Sequence, residues 1–334
     1  MDEFIAGLPK IELHRHLEGS IRPETVFALA REHSIDVGAD SVEGLAESYV
    51  FGDFPSFVDL FIRTTKVLRR SGDLELIITE MAREMAAENT RYAEVFFSPV
   101  WHQMNGMTER SIAAGLNAGR AVAAGFGVEL AWIVDNSRHL DVSSGFDAVD
   151  FVTGPNAPEG MVAVGLGGPE VGFPPEPWKP VFDKARAAGL EAIPHAGETV
   201  GAESVRGAVT ALGAKRIGHG VRCLEDPEVV SMLVDSGIPI DVSLTSNRLL
   251  GVVESDERHP LKELIAAGLQ VTLNTDDPGL FRTTLHKELA LATSVHGITR
   301  EGLADHMRIA VRHACLSPER QRTLLAEIDS YMSV

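Results

Sequence analysis

The stretch "KIELHRHLEG", Lys10 to Gly19, combines an apolar strand pattern with two histidines near its end. Successive side chains of an extended chain alternate between two faces, so His14 and His16 point to the same side. Buried imidazoles need hydrogen-bond partners or a bound ion. The stretch therefore predicts a buried strand whose end carries a polar site.

Similar strand patterns recur along the chain, separated by longer amphipathic segments. Segments such as "DPEVVSMLVDSG" have apolar residues at helical spacing and end in glycine. Eight strands alternating with helices predict an α/β fold, a (β/α)8 TIM barrel; a doubly wound open sheet is the alternative that the strand count leaves open. The predicted strands cover residues 11–16, 91–97, 127–135, 160–167, 191–196, 214–220, 238–244 and 269–276.

One interval between predicted strands is unusually long. Residues 17–90 separate the first two strands and carry helical patterns. A helical insertion after a barrel strand lies at the face where catalytic loops gather, so we interpret it either as a lid or as a packing insertion. No repeat or low-complexity linker interrupts the sequence, and we expect residues 1–334 to form a single domain.

Composition limits the classes of partner. Lys and Arg number 30 against 48 Asp and Glu, giving a formal charge of −18. Such a surface repels phosphate backbones and anionic lipids, so we expect no nucleic-acid or membrane partner and a small-molecule substrate instead. Cys223 and Cys315 are too few for a disulfide framework. With no signal-peptide or membrane-span pattern, the sequence predicts a soluble, cytoplasmic protein and leaves its oligomeric state open.

Polar residues cluster at the predicted carboxyl ends of strands, which is where barrel enzymes place their chemistry. Each alone has an ordinary explanation, such as a hydrogen-bonded core histidine or a turn. Six at matching ends of four strands favour a metal site instead. They are His14, His16, His195, His219, Asp276 and Asp277.

Three imidazoles and one carboxylate form a ligand set of nitrogen and oxygen. We predict that His14, His16, His195 and Asp276 bind Zn²⁺, with Fe²⁺, Co²⁺ or Mn²⁺ as substitutes. A water at such a site would be activated for hydrolysis because the cation lowers its pKa.

Three further residues are predicted to act on the substrate. Glu198, three residues after His195, is a candidate general acid or base in a desolvated pocket, or otherwise a helix N-terminal carboxylate. His219 has small neighbours in "IGHG" that leave its ring open to the cavity. Asp277 is free to orient the water or a ring nitrogen.

The set of blocks resembles the adenosine deaminase family of the amidohydrolases over nearly the whole chain. The resemblance implies hydrolytic deamination of a 6-aminopurine, with one zinc ion, because "GLGGPE" lacks the lysine that two-metal relatives use at the fourth strand. By the same resemblance, Glu198 protonates ring N1, His219 assists the hydroxide, Asp277 meets the water and N7, and Gly168 meets N3. The blocks are "PKIELHRHLEG", "FPSFVDLF", "AEVFFSP", "HAGE", "RIGHG", "SN" and "LNTDDP".

Departures from the family pattern concern the sugar side of the substrate. Glu18 replaces the aspartate that meets a 5′-hydroxyl, which makes Glu18 and His16 the predicted contacts there. We predict an adenosine or a 5′-modified adenosine as the substrate. Aminodeoxyfutalosine, a menaquinone-pathway compound with a carboxylated tail, is the specific hypothesis. Arg248 or Arg282 would receive that carboxylate, unless both are solvated surface charges.

The sequence is also compatible with other functions. The alternatives are an adenine deaminase, a mononuclear amidohydrolase that cleaves a cyclic amide, and a binding protein without turnover. Phe57 and Phe61, four residues apart on a predicted helix, are expected to form an apolar wall over the purine, or ordinary core packing.

Overall fold

The strands of the computed structural model, which describes residues 1–51 and 54–333, confirm the predicted α/β fold. All pairings are parallel. One sheet has the order β1-β2-β3-β4-β5 and the other β6-β7-β8-β9. The strands are β1 Lys10–His16, β2 Thr90–Phe97, β3 Glu129–Ser137, β4 Met161–Gly167, β5 Glu191–Ala192, β6 His195–Ala196, β7 Ile217–His219, β8 Ile240–Val242 and β9 Val271–Leu273.

Backbone hydrogen bonds join the two sheets at both edges. The predicted fifth strand is divided into β5 and β6 around Pro194, which has no N–H to donate to the ladder. Beyond β9, Asp276 donates its N–H to the carbonyl of His14 at 3.1 Å and accepts from the N–H of His16 at 2.8 Å. The ladder therefore runs around a closed ring, as in a TIM barrel.

Helices surround the ring and alternate with its strands. Helix α5, which lies between β1 and β2, packs against α7 so closely that a Cβ on Gly119 would lie 2.6 Å from Ile78. The α-helices are α1 Asp2–Gly7, α2 Pro23–His33, α3 Val42–Glu47, α4 Phe54–Thr65, α5 Ser71–Ala87, α6 Pro99–Met104, α7 Glu109–Gly125, α8 Ser143–Thr153, α9 Lys179–Ala187, α10 Ala202–Thr210, α11 Pro227–Ser236, α12 Leu244–Leu249, α13 Leu261–Ala266, α14 Pro278–Phe281, α15 Leu285–Ser294, α16 Arg300–His313 and α17 Pro318–Met332.

The first strand shows how the fold separates core from site. All of β1 is buried. Ile11 and Leu13 pack in the apolar layer beneath the outer helices. The alternate residues His14 and His16 face the interior of the ring, where both contact Phe96. A strand covered on both faces is expected in a parallel barrel, and its inner face is free for polar chemistry at the strand end.

The long interval between β1 and β2 contains two different parts. Helix α5 returns the chain to β2 and belongs to the outer ring, so the insertion proper is the segment that carries α2, α3 and α4. Residues 52 and 53 of the predicted 17–90 insertion lie outside the described residues. Within residues 1–51 and 54–333, no helix is both long and apolar enough to cross a bilayer.

Candidate active site

Four side chains from three parts of the ring converge at the carboxyl ends of the strands. His14 and His16 come from β1, His195 from β6, and Asp276 from the turn after β9. Asp276 Oδ1 lies 3.4 Å from His14 Nε2 and 3.3 Å from His16 Nε2. The Nε2 atoms of His16 and His195 are 3.1 Å apart. One possible ligand atom from each of the four residues lies within 4.8 Å of the other three, which is close enough for a single metal ion to bind all four.

The chemistry of this cluster fits a divalent metal ion. His14 Nε2 is buried and has no hydrogen-bond partner among the described residues, although buried polar atoms are normally paired. Burial, with the nearby His14 and His16, holds the pKa of His195 well below its usual range, so the ring is neutral and able to donate a lone pair. Three imidazoles and one carboxylate suit zinc and neighbouring transition metals.

Local backbone geometry brings these groups together. A Cβ on Gly218 would lie 2.7 Å from the ring of His14, so glycine at that position leaves room for the ring. His219 and Asp276 both adopt left-handed backbone conformations, with φ of 63° and 67°. Such conformations are uncommon outside glycine and concentrate at functional sites.

A second layer of polar groups holds the cluster in place. Asp241 Oδ2 lies 3.9 Å from His14 Nδ1 and accepts a hydrogen bond from Arg216 Nε at 2.6 Å. Ser246 Oγ donates to Asp276 Oδ2 at 2.6 Å. Polar partners of this kind, placed behind metal ligands, fix the orientation of those ligands in proteins.

Glu198 lies beside the cluster and is only 4% exposed. One of its carboxylate oxygens, Oε1, lies 3.7 Å from His219 Nε2. Burial, and then the negative charges of Asp276 and Glu170, raise the pKa of Glu198 well above its usual range. The side chain is thus suited to hold a proton and transfer it to a bound ligand.

Glu170 holds the loop that carries Glu198, a role that sequence reasoning missed. Its Oε1 accepts from the N–H of Gly197 and its Oε2 from the N–H groups of Glu198, Thr199 and Val200, at 2.6–3.0 Å. The Ser204 hydroxyl also donates to it, at 2.6 Å. A carboxylate just past the β4 end was the available sequence signal. One buried carboxylate therefore fixes the backbone around the candidate acid.

His219 is held from the side away from Glu198. The side-chain amide of Asn247 lies 3.3 Å from His219 Nδ1, and its other end is 3.0 Å from His259 Nε2. Burial, with the charges of His14 and His16, lowers the pKa of His219 to about 4. The ring is therefore neutral at physiological pH and held in one orientation.

Asp277 and Gly168 complete the predicted set. Asp277 is buried, its Oδ1 finds no hydrogen-bond partner in residues 1–51 and 54–333, and burial next to Asp276 raises its pKa well above the usual range. Gly168 follows β4 with φ of +83°, a conformation that favours glycine. Both line the same cavity as the ligand cluster.

That cavity contains about 590 Å³ of space between atoms, part of which is open to solvent. Phe57 and Phe61 of α4 line it with ring centroids 6.1 Å apart, and both also pack in the hydrophobic core, so the two interpretations of this pair hold together. Sequence reasoning missed five lining residues that follow β2 and β3 or lie at their ends. These are Ser98, Trp101, Asp135, Ser137 and His139.

The structure does not bring three predicted substrate contacts into the cavity. Glu18 is fully buried, and its Oε1 accepts from Ser98 N–H at 2.9 Å and lies 2.7 Å from His102 Nε2. Arg248 pairs with Asp256 at 2.8 Å, and Arg282 donates to the carbonyl of Ala46. Glu18 braces the loop after β2, and both arginines have local partners that hold them outside the cavity lining.

Known proteins match this chain along almost its whole length. It is 38% identical to the aminodeoxyfutalosine deaminase of Streptomyces avermitilis, over 99% of this chain and 93% of that protein. The crystal structure of an adenine deaminase from Arthrobacter aurescens superposes with a TM-score of 0.94 at 32% identity, covering 98% of this chain and 100% of that one.

A second solved structure bears on the metal cluster. An amidohydrolase from Burkholderia ambifaria with bound zinc superposes with a TM-score of 0.90 at 28% identity, covering 99% of this chain and 93% of that one. The sequence pattern described as adenosine deaminase matches residues 9–331. The chain belongs to the adenosine deaminase family.

Proposed function

We propose that this protein catalyses the zinc-dependent hydrolytic deamination of a 6-aminopurine nucleoside to the 6-oxopurine, with release of ammonia. The observation that carries the proposal is the convergence of His14, His16, His195 and Asp276 on one point, with Glu198 at the edge of the same cavity. Family membership and relatives that are named deaminases of aminopurines support it.

We assign one zinc ion per chain to His14, His16, His195 and Asp276. A zinc ion bound there would lower the pKa of a water and supply a nucleophile at neutral pH. A second group of possible metal ligands in the structure, Glu198, His219 and Asp276, shares Asp276 with the first. His219 and Glu198 are therefore assigned to the substrate and the water.

The remaining roles are those that the resemblance to the family implies. Glu198 gives its proton to ring N1, which makes C6 able to accept the water's oxygen. Asp277, also buried, meets N7 and the water, and the backbone of Gly168 meets N3. His219 orients the attacking oxygen. The two protons of the water balance the reaction: one converts the C6 amine to ammonia as the C6–N6 bond breaks, the other restores the proton that Glu198 gave to N1, and the oxygen stays on C6.

The substrate carries a sugar in this proposal, and aminodeoxyfutalosine is the specific candidate. Support comes from relatives that are named aminodeoxyfutalosine deaminases at 38% identity. Arg248 and Arg282, with local partners of their own, do not support it. The competing candidate is free adenine, which the names of other relatives favour.

We further propose that the chain is one catalytic domain in which helix α4 of the insertion covers the cavity. Phe57 and Phe61 contribute rings to the cavity wall, and the ring centroid of Phe61 lies 6.4 Å from that of His16. A wall that belongs to an insertion can exclude water from the bound purine.

A panel of aminopurines tests the proposal. The protein is incubated with adenine, adenosine and aminodeoxyfutalosine, and the ultraviolet change from aminopurine to oxopurine is followed, with metal content measured on the same sample. We expect turnover of a nucleoside and about one zinc per chain. A protein that binds zinc but leaves every aminopurine unchanged would contradict the proposal, and a clear preference for adenine would replace the nucleoside by the free base.

A further inference from the structure

The carboxylate of Asp135 is buried in the cavity wall, and one of its two oxygens has no hydrogen-bond partner among the described residues. Asp135 lies near the end of β3, is 6% exposed and lines the same cavity as Glu198. Its Oδ1 has no hydrogen-bond partner in the part of the chain that the structure describes. Burying an unpaired carboxylate is costly, so such a group is expected to have a ligand.

The neighbouring strand is shaped to accommodate this carboxylate. Asp135 pairs in register with Gly165 of β4, and Ser137 with Gly167. A Cβ on Gly165 would lie 2.7 Å from Asp135 Oδ1, and a Cβ on Gly167 would lie 2.7 Å from Oδ2. Two glycines therefore leave the space in which the carboxylate lies.

Asp135 belongs to neither group of possible metal ligands. Those groups draw on β1, on the β6 and β7 ends and on the turn after β9. Asp135 sits instead on the β2–β4 arc of the ring, with Ser98 and Ser137 close by in the cavity lining. No hydrogen bond joins Asp135 to His16 within the described ranges, although the two side chains interact electrostatically: the charge of Asp135 acts to raise the pKa of His16, and His16 acts to lower that of Asp135.

The orientation of a purine in this cavity gives the carboxylate a chemical partner. With C6 and N7 at His219 and Asp277 and N3 at Gly168 after β4, the purine edge that carries N3 and N9 faces the β2–β4 arc, since N7 and N3 lie on opposite groove edges of a purine. A sugar on N9 would then bring its hydroxyl groups towards Asp135. Hydroxyl groups donate hydrogen bonds, and an ionised carboxylate accepts several.

We propose that Asp135 accepts hydrogen bonds from the sugar hydroxyl groups of the substrate and so selects aminopurine nucleosides over the free base. The inference deepens the proposed function and rests on the purine orientation assigned there. Ser98 and Ser137 lie on the same arc and are available for the remaining hydroxyl contacts. Asp135 is thus a specificity-determining residue, distinct from the groups that act on the ring.

The test compares Asp135→Ala and Asp135→Asn with the wild-type protein on adenosine, 2′-deoxyadenosine, 3′-deoxyadenosine and adenine. A hydrogen bond to a charged group corresponds to about a 10- to 100-fold change. We expect the ratio of kcat/KM for adenosine to that for adenine to fall by about this factor in Asp135→Ala, and by less in Asp135→Asn, whose amide oxygen still accepts. The deoxy analogue that lacks the bound hydroxyl should lose the sensitivity to Asp135→Ala.

Three measurements keep the outcomes separate. Asp147→Asn, an exposed residue of α8, is the matched control and should leave the ratio unchanged. Zinc content and thermal unfolding of each variant show whether the metal site and fold survive. Calorimetric binding of inosine and hypoxanthine to the same proteins needs no turnover. If the wild-type protein deaminates nothing but Asp135→Ala still loses inosine selectively, the proposed function fails and this inference stands.

Other results would overturn the inference. Equal losses for adenosine and adenine would mean that Asp135 acts on the ring or the metal site. A greater loss for adenine would mean that the carboxylate accepts the N9–H of the free base. An unchanged ratio in both variants, with metal and fold intact, would leave Asp135 without a role in sugar recognition.

Discussion

Two buried polar regions of the ring differ in how their charges are partnered. In the interior network of Glu94, Arg216 and Asp241, Arg216 donates to both carboxylates at 2.6 Å and also to the carbonyl of Leu13 at 2.9 Å. The cavity is adjacent to this network, because Asp241 Oδ2 also lies 3.9 Å from Nδ1 of His14. There, atoms of His14, His195, Asp135 and Asp277 have no partner among residues 1–51 and 54–333.

The difference separates stability from function. The members of the interior network satisfy one another's charges, so removal of one member should damage the fold. The cavity groups are held in place by neighbours such as Glu170 and Asp241 but keep atoms free for a ligand. Their removal should damage binding and chemistry while leaving the fold intact, as expected where activity and stability compete.

The largest effect is expected from removing a metal ligand. His195→Ala should lower bound zinc well below one per chain and lower kcat/KM by more than about 10³-fold, because the nucleophile depends on the cation. Metal analysis and the ultraviolet assay measure both. His286→Ala, a surface histidine paired with Asp2, is the control and should keep the metal. Full zinc retention in His195→Ala would mean that the ligand set is wrong.

Glu198→Gln should come next, with a decrease in kcat of about 10²- to 10⁴-fold, because an amide cannot supply the proton. Bound zinc and the melting temperature should stay close to wild type, or the melting temperature should rise, because a buried carboxyl is replaced by a neutral group of the same shape. A near-normal rate in this variant would refute the assignment of Glu198 as the acid.

In the interior network, Arg216→Met should reduce the free energy of unfolding by about 3–5 kcal/mol, because it leaves two buried carboxylates without their cation. Denaturant titration measures the loss. The matched control is Arg320→Met, which removes a partly exposed ion pair with Glu129 and should cost less than about 1 kcal/mol. Equal losses of unfolding free energy in Arg216→Met and Arg320→Met would mean that the buried network contributes no more to stability than a surface ion pair.

The smallest effect concerns a buried carboxyl that is hydrogen-bonded but has no cation. Glu288 accepts from Thr283 Oγ1 at 2.5 Å and from Thr245 N–H at 3.1 Å, and burial raises its pKa to about 7. Below the ordinary value of 4.5, both the folded and the unfolded states hold the proton. Between about 4.5 and 7 the unfolded chain loses it first, so folding becomes less favourable as pH rises.

Glu288→Gln should remove that dependence. The difference in unfolding free energy, variant minus wild type, should rise by about 1–3 kcal/mol across this pH window and then level off. Denaturant titrations from pH 4 to 8 measure it, with the exposed Glu263→Gln as the control for the substitution itself. A difference that is flat across the window would mean that Glu288 ionises normally in the folded protein.

Local pattern was enough to predict the strands and the position of the cluster. Each predicted strand overlaps an observed one, because apolar runs bounded by glycine and proline depend on neighbours in sequence. The strand-end rule found His195 and Asp276 because both directly follow such runs. The same rule applied to "ELAWIVDNS" would have found Asp135, at the end of β3.

Long-range contacts account for what pattern missed or misplaced. Glu18 follows β1 as a substrate contact should, yet Ser98 and His102, 80 and 84 residues further along the chain, hold it. Arg216 gives no sign in the sequence that its partners are Glu94 and Asp241. Such pairings depend on which strands become neighbours when the ring closes.

The sequence by itself determined the alternation of strands and helices and the residues at the strand ends, since hydrophobic periodicity is a local property of the chain. Only the tertiary structure decided which of those residues meet and which keep an atom free for a ligand. Distances between strand ends arise from closure of the ring, which brings His14 within reach of Asp276, 262 residues further along the chain.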